Sequence, residues 1–585
     1  MATTMAHRGP DAEGVWIAPD APVSLGHRRL SIIDLNPRGN QPMVYRYRDL
    51  ELVLTFNGEI YNYRQLGREL EAKGYEFHTT SDSEVILAAY AEWGADAVKR
   101  FNGMWAFAIW HPAERTIFLS RDRFGKKPLY YFNPGDKLFF ASEIKALLVA
   151  PQTPRRANRT VVADYLLRGL ANHTPSSFFE SISSLPAGHN ATFQVDSGKL
   201  RVWPYYAPRV AERDVSDAEL KGALQAAVEL RTISDVPISI SLSGGIDSSS
   251  IAALLAQVST GTIAAFTTTS KTGPGDESTL VRKLLERYPQ YQLHVRPLEE
   301  ERFLRQFEAI VYHMEEPLWF DAPYVRWEIA SAVHDEGFKV LLTGEGADEA
   351  LGGYWLASSF HLRELFRGRH FVRLASELVG LLRQPERAHI LRAFPTLALG
   401  DRWMAHRKSD ALARKLGITL VATQQSVLAH VHDGTLKDYL RWALSTYILP
   451  QLLVCNDKMS MAHSVESRAP FLDVDFVETA LAIQSIDLVR NGRRKYPLRR
   501  VMDGMVPDEI LYRRQKDAFG SPMRSFLGSR QIQERFQRYF KDPVCAPLID
   551  RNQVLEHQRS KGIDELLARL FWIECWSRVF DVSWS

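Results

Sequence analysis

The chain has 585 residues, 45% apolar and 24% charged, with a formal charge of +3. That length exceeds one ordinary core, so two or more domains are expected, and the near-neutral balance argues against a dominant nucleic-acid surface. Three cysteines, Cys455, Cys545 and Cys575, suit reduced thiols in a cytoplasmic protein and not a disulfide framework.

No apolar core segment follows Met1, so no signal peptide is read there. The long uncharged stretch 248–270 is rich in Ser and Thr and is broken by Gly261, which reads as helix, turn and strand and not as a membrane span. The first third is strand-like: β-rich runs at 52–56, 104–110, 116–120, 129–132, 138–141 and 190–194 are separated by Gly, Pro, Asn and Asp. Helical patterns interrupt at 63–73 and 83–93. Sheets and helices in separate runs predict an α+β layered sandwich. Pro204, Pro208 and a charged cluster mark a linker near 203–215. The stretch 216–231 then reads as an amphipathic helix, with Ser216 and Glu219 spaced as a capping box.

Beyond it strands alternate with helices. Strands are predicted at 238–242, 263–269, 292–295 and 340–343, and helices at 249–258, 277–287, 302–312 and 322–335. That order implies a parallel, doubly wound α/β sheet with right-handed crossovers. From about residue 357 the pattern is mostly helical.

The segment Ser243-Gly244-Gly245-Ile246-Asp247-Ser248-Ser249 sits where a β-branched run meets an apolar helix start. A glycine turn there aims backbone N–H groups and a helix N-terminus at an anion, as a pyrophosphate site requires. Neither a Walker A lysine nor G-x-G-x-x-G is present. Asp247 is placed to hold Mg²⁺, which takes one or two protein carboxylates plus phosphate oxygens. A second carboxylate, Asp348, occurs after another strand, in Thr343-Gly344-Glu345-Gly346-Ala347-Asp348-Glu349. Strand ends of a doubly wound sheet converge on one crevice, so Asp247 and Asp348 are predicted to share the metal. Thr343, Gly344 and Glu345 would line the nucleotide and the acyl substrate. By itself this second segment also reads as an ordinary strand-to-helix turn with acids at a helix N-terminus.

Together these residues resemble the PP-loop ATP pyrophosphatases and, within them, the asparagine synthetase family. The resemblance extends to Lys458-Met459-Ser460, to the run from Val465 to Asp473, and to Lys495-Tyr496-Pro497-Leu498-Arg499. It implies that a carboxylate attacks the α-phosphate of ATP, giving an acyl-adenylate and diphosphate, after which ammonia displaces AMP. It also implies a nucleotide site made of Ser241, Leu242, Ser243, Gly244, Gly245, Asp247, Ser248, Ser249, Thr268, Thr343 and Gly344, with Lys495 near the α-phosphate and Glu345 in the catalytic set. From its own run alone Lys495 reads as a solvated charge, and the resemblance reverses that reading. Lys516 is a weaker candidate for phosphate contact.

The first third resembles the class II glutamine amidotransferase domain of the same family through His7-Arg8-Gly9-Pro10-Asp11, His27-Arg28-Arg29, Asn57-Gly58-Glu59 and Ser81-Asp82-Ser83. That implies Arg29 on the glutamine α-carboxylate and Asp82 and Glu59 on its ammonium. It further implies Asn57 and the Gly58 N–H as an oxyanion hole. Taken singly, Asn57-Gly58 also reads as a hairpin turn, Arg29 as a surface arginine and Asp82 as a helix cap. The runs 121–130 and 140–145 are assigned to sheet architecture and the domain interface. The fold expected is an N-terminal nucleophile-type sandwich over 1–205, followed by a PP-loop domain with a helical C-terminal part over 216–585.

One departure stands out. The family's nucleophile is an N-terminal cysteine, whereas this sequence reads Met1-Ala2-Thr3-Thr4 with no cysteine before Cys455. The missing lead would be about 20 residues, and its absence would leave a sheet short. Either the start is placed too late, or free ammonia is used; the retained Arg29, Asn57, Gly58, Glu59 and Asp82 favour a misplaced start. The function expected is amidation of aspartate with ATP, Mg²⁺ and glutamine or ammonia, without nucleic-acid or membrane partners. A homodimer is compatible with the resemblance. The alternatives are a relative that amidates another carboxylate or closes a ring, and a non-catalytic scaffold.

Overall fold

The computed structural model describes residues 1–270, 278–319, 322–383, 387, 412–418, 434–513 and 523–584. Glu277, the expected start of one helix, and Lys516 lie outside the described residues.

The first half contains strands β1 (Ala12–Ile17), β2 (Ser24–Arg29), β3 (Met43–Tyr47), β4 (Leu50–Ile60), β5 (Gly103–His111), β6 (Thr116–Arg121), β7 (Tyr130–Phe132), β8 (Phe139–Ala141), β9 (Ile182–Ser184), β10 (His189–Gln194) and β11 (Lys199–Pro204). Six form an antiparallel sheet in the order β11-β10-β6-β5-β4-β3. Its side chains obey the period of two. Trp105, Phe107 and Ile109 of β5 pack with Leu52, Leu54 and Phe56 of β4 against the helices Tyr63–Glu71 and Asp82–Trp93. Ala106, Ala108 and Trp110 turn the other way and meet Val23, Leu25, Leu129 and Leu185. Each large side chain so buried contributes about 1.5–3 kcal/mol. The layer on that second face is in two pieces, the hairpin β1-β2 and the sheet β8-β7-β9.

The second half carries β12 (Ile238–Ser241), β13 (Ile263–Thr269), β14 (Tyr291–Pro297), β15 (Val340–Leu342) and β16 (Glu466–Arg468). They make a parallel sheet in the order β14-β13-β12-β15-β16. Two details differ from the sequence reading. β11 runs into the expected linker because its backbone pairs with the edge of β10. The capping box is only half made: Ser216 Oγ accepts from Glu219 N–H at 3.1 Å, but the Glu219 carboxylate bonds Arg213 instead.

The halves meet through buried charge. Glu143, fully buried, accepts from His7 Nε2 at 3.0 Å, Arg8 Nη1 at 3.1 Å and Lys145 Nζ at 2.5 Å. Arg8 also reaches Asp457 at 2.8 Å, and Lys458 reaches Glu315 at 2.9 Å. Lys127 lies 3.5 Å from Asp457 and 3.6 Å from Glu466. Arg468 donates to Glu466 at 2.9 Å and approaches Glu59 at 3.4 Å. The cations hold the Glu143 pKa well below the usual range although burial opposes them. Glu59 and Asp82 go the other way: burial, then the neighbouring Glu466, drives Glu59 up, and burial pushes Asp82 up to about 7.

Removing one partner of a buried pair strands the other. Arg468→Met strips Glu59 of its cation and leaves Glu466 with Lys127 alone, so a loss of about 3–5 kcal/mol is expected in denaturant unfolding. Asp82 is protonated more readily in the folded chain than in the unfolded one. Its contribution to stability is therefore full below the ordinary carboxyl range and is lost as pH rises through about 7. Asp82→Asn is expected to flatten the fall in melting temperature between pH 5 and pH 8, removing about 2–4 kcal/mol of pH dependence.

Candidate functional site

The strand order reverses between β12 and β15, because the chain adds β13 and β14 on one side and β15 and β16 on the other. Loops that leave such neighbouring strands open a crevice at their carboxyl ends. The loop after β12 turns through Gly244, whose φ of 63° suits glycine, and the helix Ile246–Val258 starts at once with Gly245 as its N-cap. Ser248 Oγ accepts from Ser243 N–H at 3.2 Å and braces this turn. A cavity of about 340 Å³ opens here, lined by Ser241, Ser243, Gly244, Gly245, Asp247 and Ser248 from one loop and Thr343, Gly344, Glu345 and Asp348 from the other.

Lys495 closes the crevice. It sits at φ 53°, in the left-handed region, ahead of the helix Tyr496–Val501. Its Nζ lies 2.6 and 2.7 Å from the two oxygens of Asp247 and 2.7 Å from Asp348 Oδ1. The two carboxylates thus converge on a single cation. Among the described residues no cluster of three or more His, Cys, Asp or Glu forms a metal cage. Two carboxylates beside a phosphate-binding turn fit Mg²⁺, which fills its shell with phosphate oxygens and water. Gly353 lies against this pair: a Cβ there would fall 1.8 Å from Asp348 Oδ1 and 2.1 Å from Lys495 Cε.

Around this centre stand further charges. Arg326 Nη2 donates to Glu345 Oε1 at 3.3 Å. Burial works against the Glu345 charge, but Arg326 and Lys126 hold its pKa below the ordinary value. Burial and Asp348 raise Glu349 to about 7, and Tyr354 Oη donates to it at 2.6 Å. Burial lowers Arg499 to about 10. Three residues expected in the nucleotide site, Leu242, Ser249 and Thr268, do not line the cavity. Leu242 is fully buried in the core beside the sheet, Ser249 is fully buried on the helix Ile246–Val258, and Thr268 is buried on β13.

The cavity of the first half, the first cavity along the chain and about 150 Å³, lies between β2 and the sheet strands β4 and β5, and that at the glycine turn is the second. Arg29, Asn57, Gly58, Glu59 and Asp82 all line it. Arg29 is buried, and its guanidinium donates to Asn36 O at 2.9 Å, to Asn40 Oδ1 at 2.8 Å and to Asp34 O. Asn57-Gly58 is not a hairpin turn but lies inside β4, opposite Ala106 and Trp105. Gly58 has φ 147°, and a Cβ there would meet Met104 O at 2.0 Å. Asp82 opens its helix, but the cap is Ser81; the Asp82 carboxylate accepts from Ile60 N–H at 2.8 Å. The described cysteines are buried, and none lines this cavity.

The sequence reading missed four contributors. Glu466 and Met461 come from the second half yet line the first cavity, which no local pattern signals. Arg326 and Asn456 line the cavity at the glycine turn from two helices. Their only signal is a polar residue in an otherwise apolar helical row.

Comparison with known proteins agrees with this geometry. Residues 1–206 match the model of a glutamine amidotransferase domain and residues 219–576 that of asparagine synthase. The chain is 29% identical to asparagine synthetase (glutamine-hydrolyzing) 3 of Bacillus subtilis, over 100% of this chain and 96% of that protein. It is 30% identical to asparagine synthetase (glutamine-hydrolyzing) 1 of the same organism, over 95% of this chain and 88% of that one. Amidase chry2 of Gibberella zeae is 28% identical over 90% of this chain and 84% of its own. With more than half of the residues inside the asparagine synthase model, the chain belongs to the asparagine synthase family, as an ATP-dependent amide ligase.

Proposed function

We propose that this chain converts aspartate to asparagine, splitting ATP into AMP and diphosphate. A side-chain carboxylate oxygen of aspartate attacks the α-phosphorus, the bond to the β-phosphate oxygen breaks, and diphosphate leaves. Ammonia then attacks the acyl carbon of the adenylate and AMP departs with the bonding pair. The observation that carries this reading is the Lys495 ammonium held between Asp247 and Asp348 at the mouth of the glycine turn. It sets a cation where charge develops on the phosphates, and such preorganised groups supply much of the barrier lowering in acyl and phosphoryl chemistry. The N–H groups of the turn and the N-terminus of the helix Ile246–Val258 bind the β- and γ-phosphates. Asp247 and Asp348 would hold Mg²⁺, which would supply neutralisation of charge on the leaving diphosphate.

In the first cavity Arg29 takes the α-carboxylate of glutamine, and Asp82 with Glu59 takes its ammonium. Asn57 Nδ2 and the Gly58 N–H face the amide oxygen. Nitrogen comes from glutamine when a thiol is supplied to this cavity and from free ammonia otherwise.

The decisive assay incubates the chain with aspartate, ATP and Mg²⁺, with ammonium or glutamine as nitrogen donor. Asparagine, AMP and diphosphate in equal amounts are expected with ammonium. Diphosphate released on another acid and not on aspartate would sink the reading. Lys495→Met is expected to lower turnover by about 10²–10³-fold. Gly353→Ala, whose methyl must displace the Asp348–Lys495 pair, is expected to lose turnover to a similar degree while its circular dichroism stays unchanged.

A further inference from the structure

One wall of the synthetase cavity carries two buried donors that no described group satisfies. Arg326 Nε and Asn456 Nδ2 are shut off from solvent and have no hydrogen-bond partner among the described residues, yet both residues line the cavity. Asn456 is 3% exposed. Buried donors of this kind are uncommon in native proteins and call for an explanation, such as a ligand or water that completes them.

The two donors share a setting. The helix Ala322–Asp335 turns Arg326, Ile329 and Ala330 toward the cavity, and the helix Leu449–Met461 turns Leu452 and Asn456 toward it. These positions are three or four residues apart and therefore lie on one face of each helix. Ser460 of the second helix lines the wall too, but its hydroxyl donates to Asp457 O at 3.2 Å, so among the described residues the guanidinium and the amide are the donors of these two helices left open there. Among the described residues the acid paired with Arg326 is Glu345, at 3.3 Å, and Lys126 also acts on that carboxylate. Arg326 Nε and Glu345 Oε2 stay outside that ion pair, so the wall keeps donors for a carboxylate beside one buried acceptor. The glycine turn, Asp247 and Lys495 belong to the phosphate-binding loops and not to these two helices. An anion that completes the wall is therefore a part of the acyl substrate.

We propose that Arg326 and Asn456 are the specificity-determining pair for the acyl substrate. They bind a second carboxylate, one that is not activated, and so restrict the reaction to dicarboxylic acids. Such a pair discriminates steeply, because an acid lacking the second carboxylate leaves both donors buried and unpaired. The inference rests on the reading of this cavity as the acyl-activating site.

The test is titration calorimetry on the full chain loaded with Mg²⁺ and a non-hydrolysable ATP analogue. The probes are aspartate, succinate and β-alanine; the last lacks the second carboxylate. The unsubstituted protein is expected to bind aspartate and succinate at least 100-fold more tightly than β-alanine. Arg326→Gln and Asn456→Leu are each expected to weaken aspartate at least tenfold and to shrink its advantage over β-alanine, with the affinity for the ATP analogue unchanged. Retained analogue binding also shows that a variant is folded. An unchanged aspartate-to-β-alanine ratio in both variants overturns the pair, as does equal binding of the two acids, or of none of the three, by the unsubstituted protein. Aspartate-dependent pyrophosphate exchange separates the two readings. Exchange with another dicarboxylic acid but not with aspartate sinks the aspartate assignment and supports the pair.

Discussion

Glu143 has no exposure to solvent and gathers an imidazole, a guanidinium and an ammonium around its two oxygens. It is one end of a buried charge seam that runs through Arg8 and Asp457 to Lys127, Glu466, Arg468 and Glu59. Ions taken out of water repay their desolvation only when each meets a partner in good geometry. Such a seam cannot slide as an apolar interface can, since a small shift strands several charges at once. The relative placement of the two sheets is thereby fixed by electrostatics, and both cavities lie against the fixed part.

The three residues of β16 carry that constraint into the sites. Successive side chains of a strand alternate, so Glu466 and Arg468 share one face and Ser467 takes the other. Glu466 lines the first cavity and Arg468 reaches Glu59, which lines it too. Ser467 meets Thr343 Oγ1 at 3.3 Å and Lys126 Nζ at 3.2 Å, and Thr343 lines the second cavity. A single strand of the parallel sheet thus furnishes groups to the surroundings of both. Its backbone is tied as firmly: Glu466 N–H donates to Lys339 O at 2.7 Å and Thr343 N–H to Arg468 O at 2.8 Å.

How far the sequence disclosed this arrangement follows from what each feature requires of the chain. β4, β5 and β6 were legible because their alternating or continuous apolar runs answer to two buried faces. The glycine turn after β12 was legible because its backbone needs residues that few other positions tolerate. β16 was not, since Glu-Ser-Arg is a polar triplet whose strand geometry comes entirely from its pairing with β15. Glu466 reaches the first cavity by tertiary approach alone, roughly 400 residues along the chain from Asn57 and Asp82. Arg326 reads in the sequence like any helical arginine, and only its missing acceptor sets it apart. In the opposite sense, Leu242, Ser249 and Thr268 adjoin residues of the cavity in sequence or in the sheet, yet their burial in the packing around the sheet keeps them out of it.

Several backbone exceptions of the second half gather at the same ion cluster. Lys495 is a non-glycine residue at φ 53°, a conformation that costs of order 1 kcal/mol for an L side chain and persists only where its surroundings over-determine it. Gly346, at φ 99°, leads the short helix Ala347–Leu351 that presents Asp348. Gly353 donates its N–H to Asp348 O at 2.8 Å and has no room for a methyl group beside the carboxylate. Gly244 turns the loop that presents Asp247. Each irregularity serves the placement of one of three charged atoms: Asp247, Asp348 or Lys495. Two carboxylates held this close repel one another, and it is the ammonium between them that makes the apposition tolerable. The strain in the chain and the charge at the site are therefore parts of one balance. A backbone that relaxed at any of these positions would part the carboxylates and with them the only point in the crevice where the lysine can meet both.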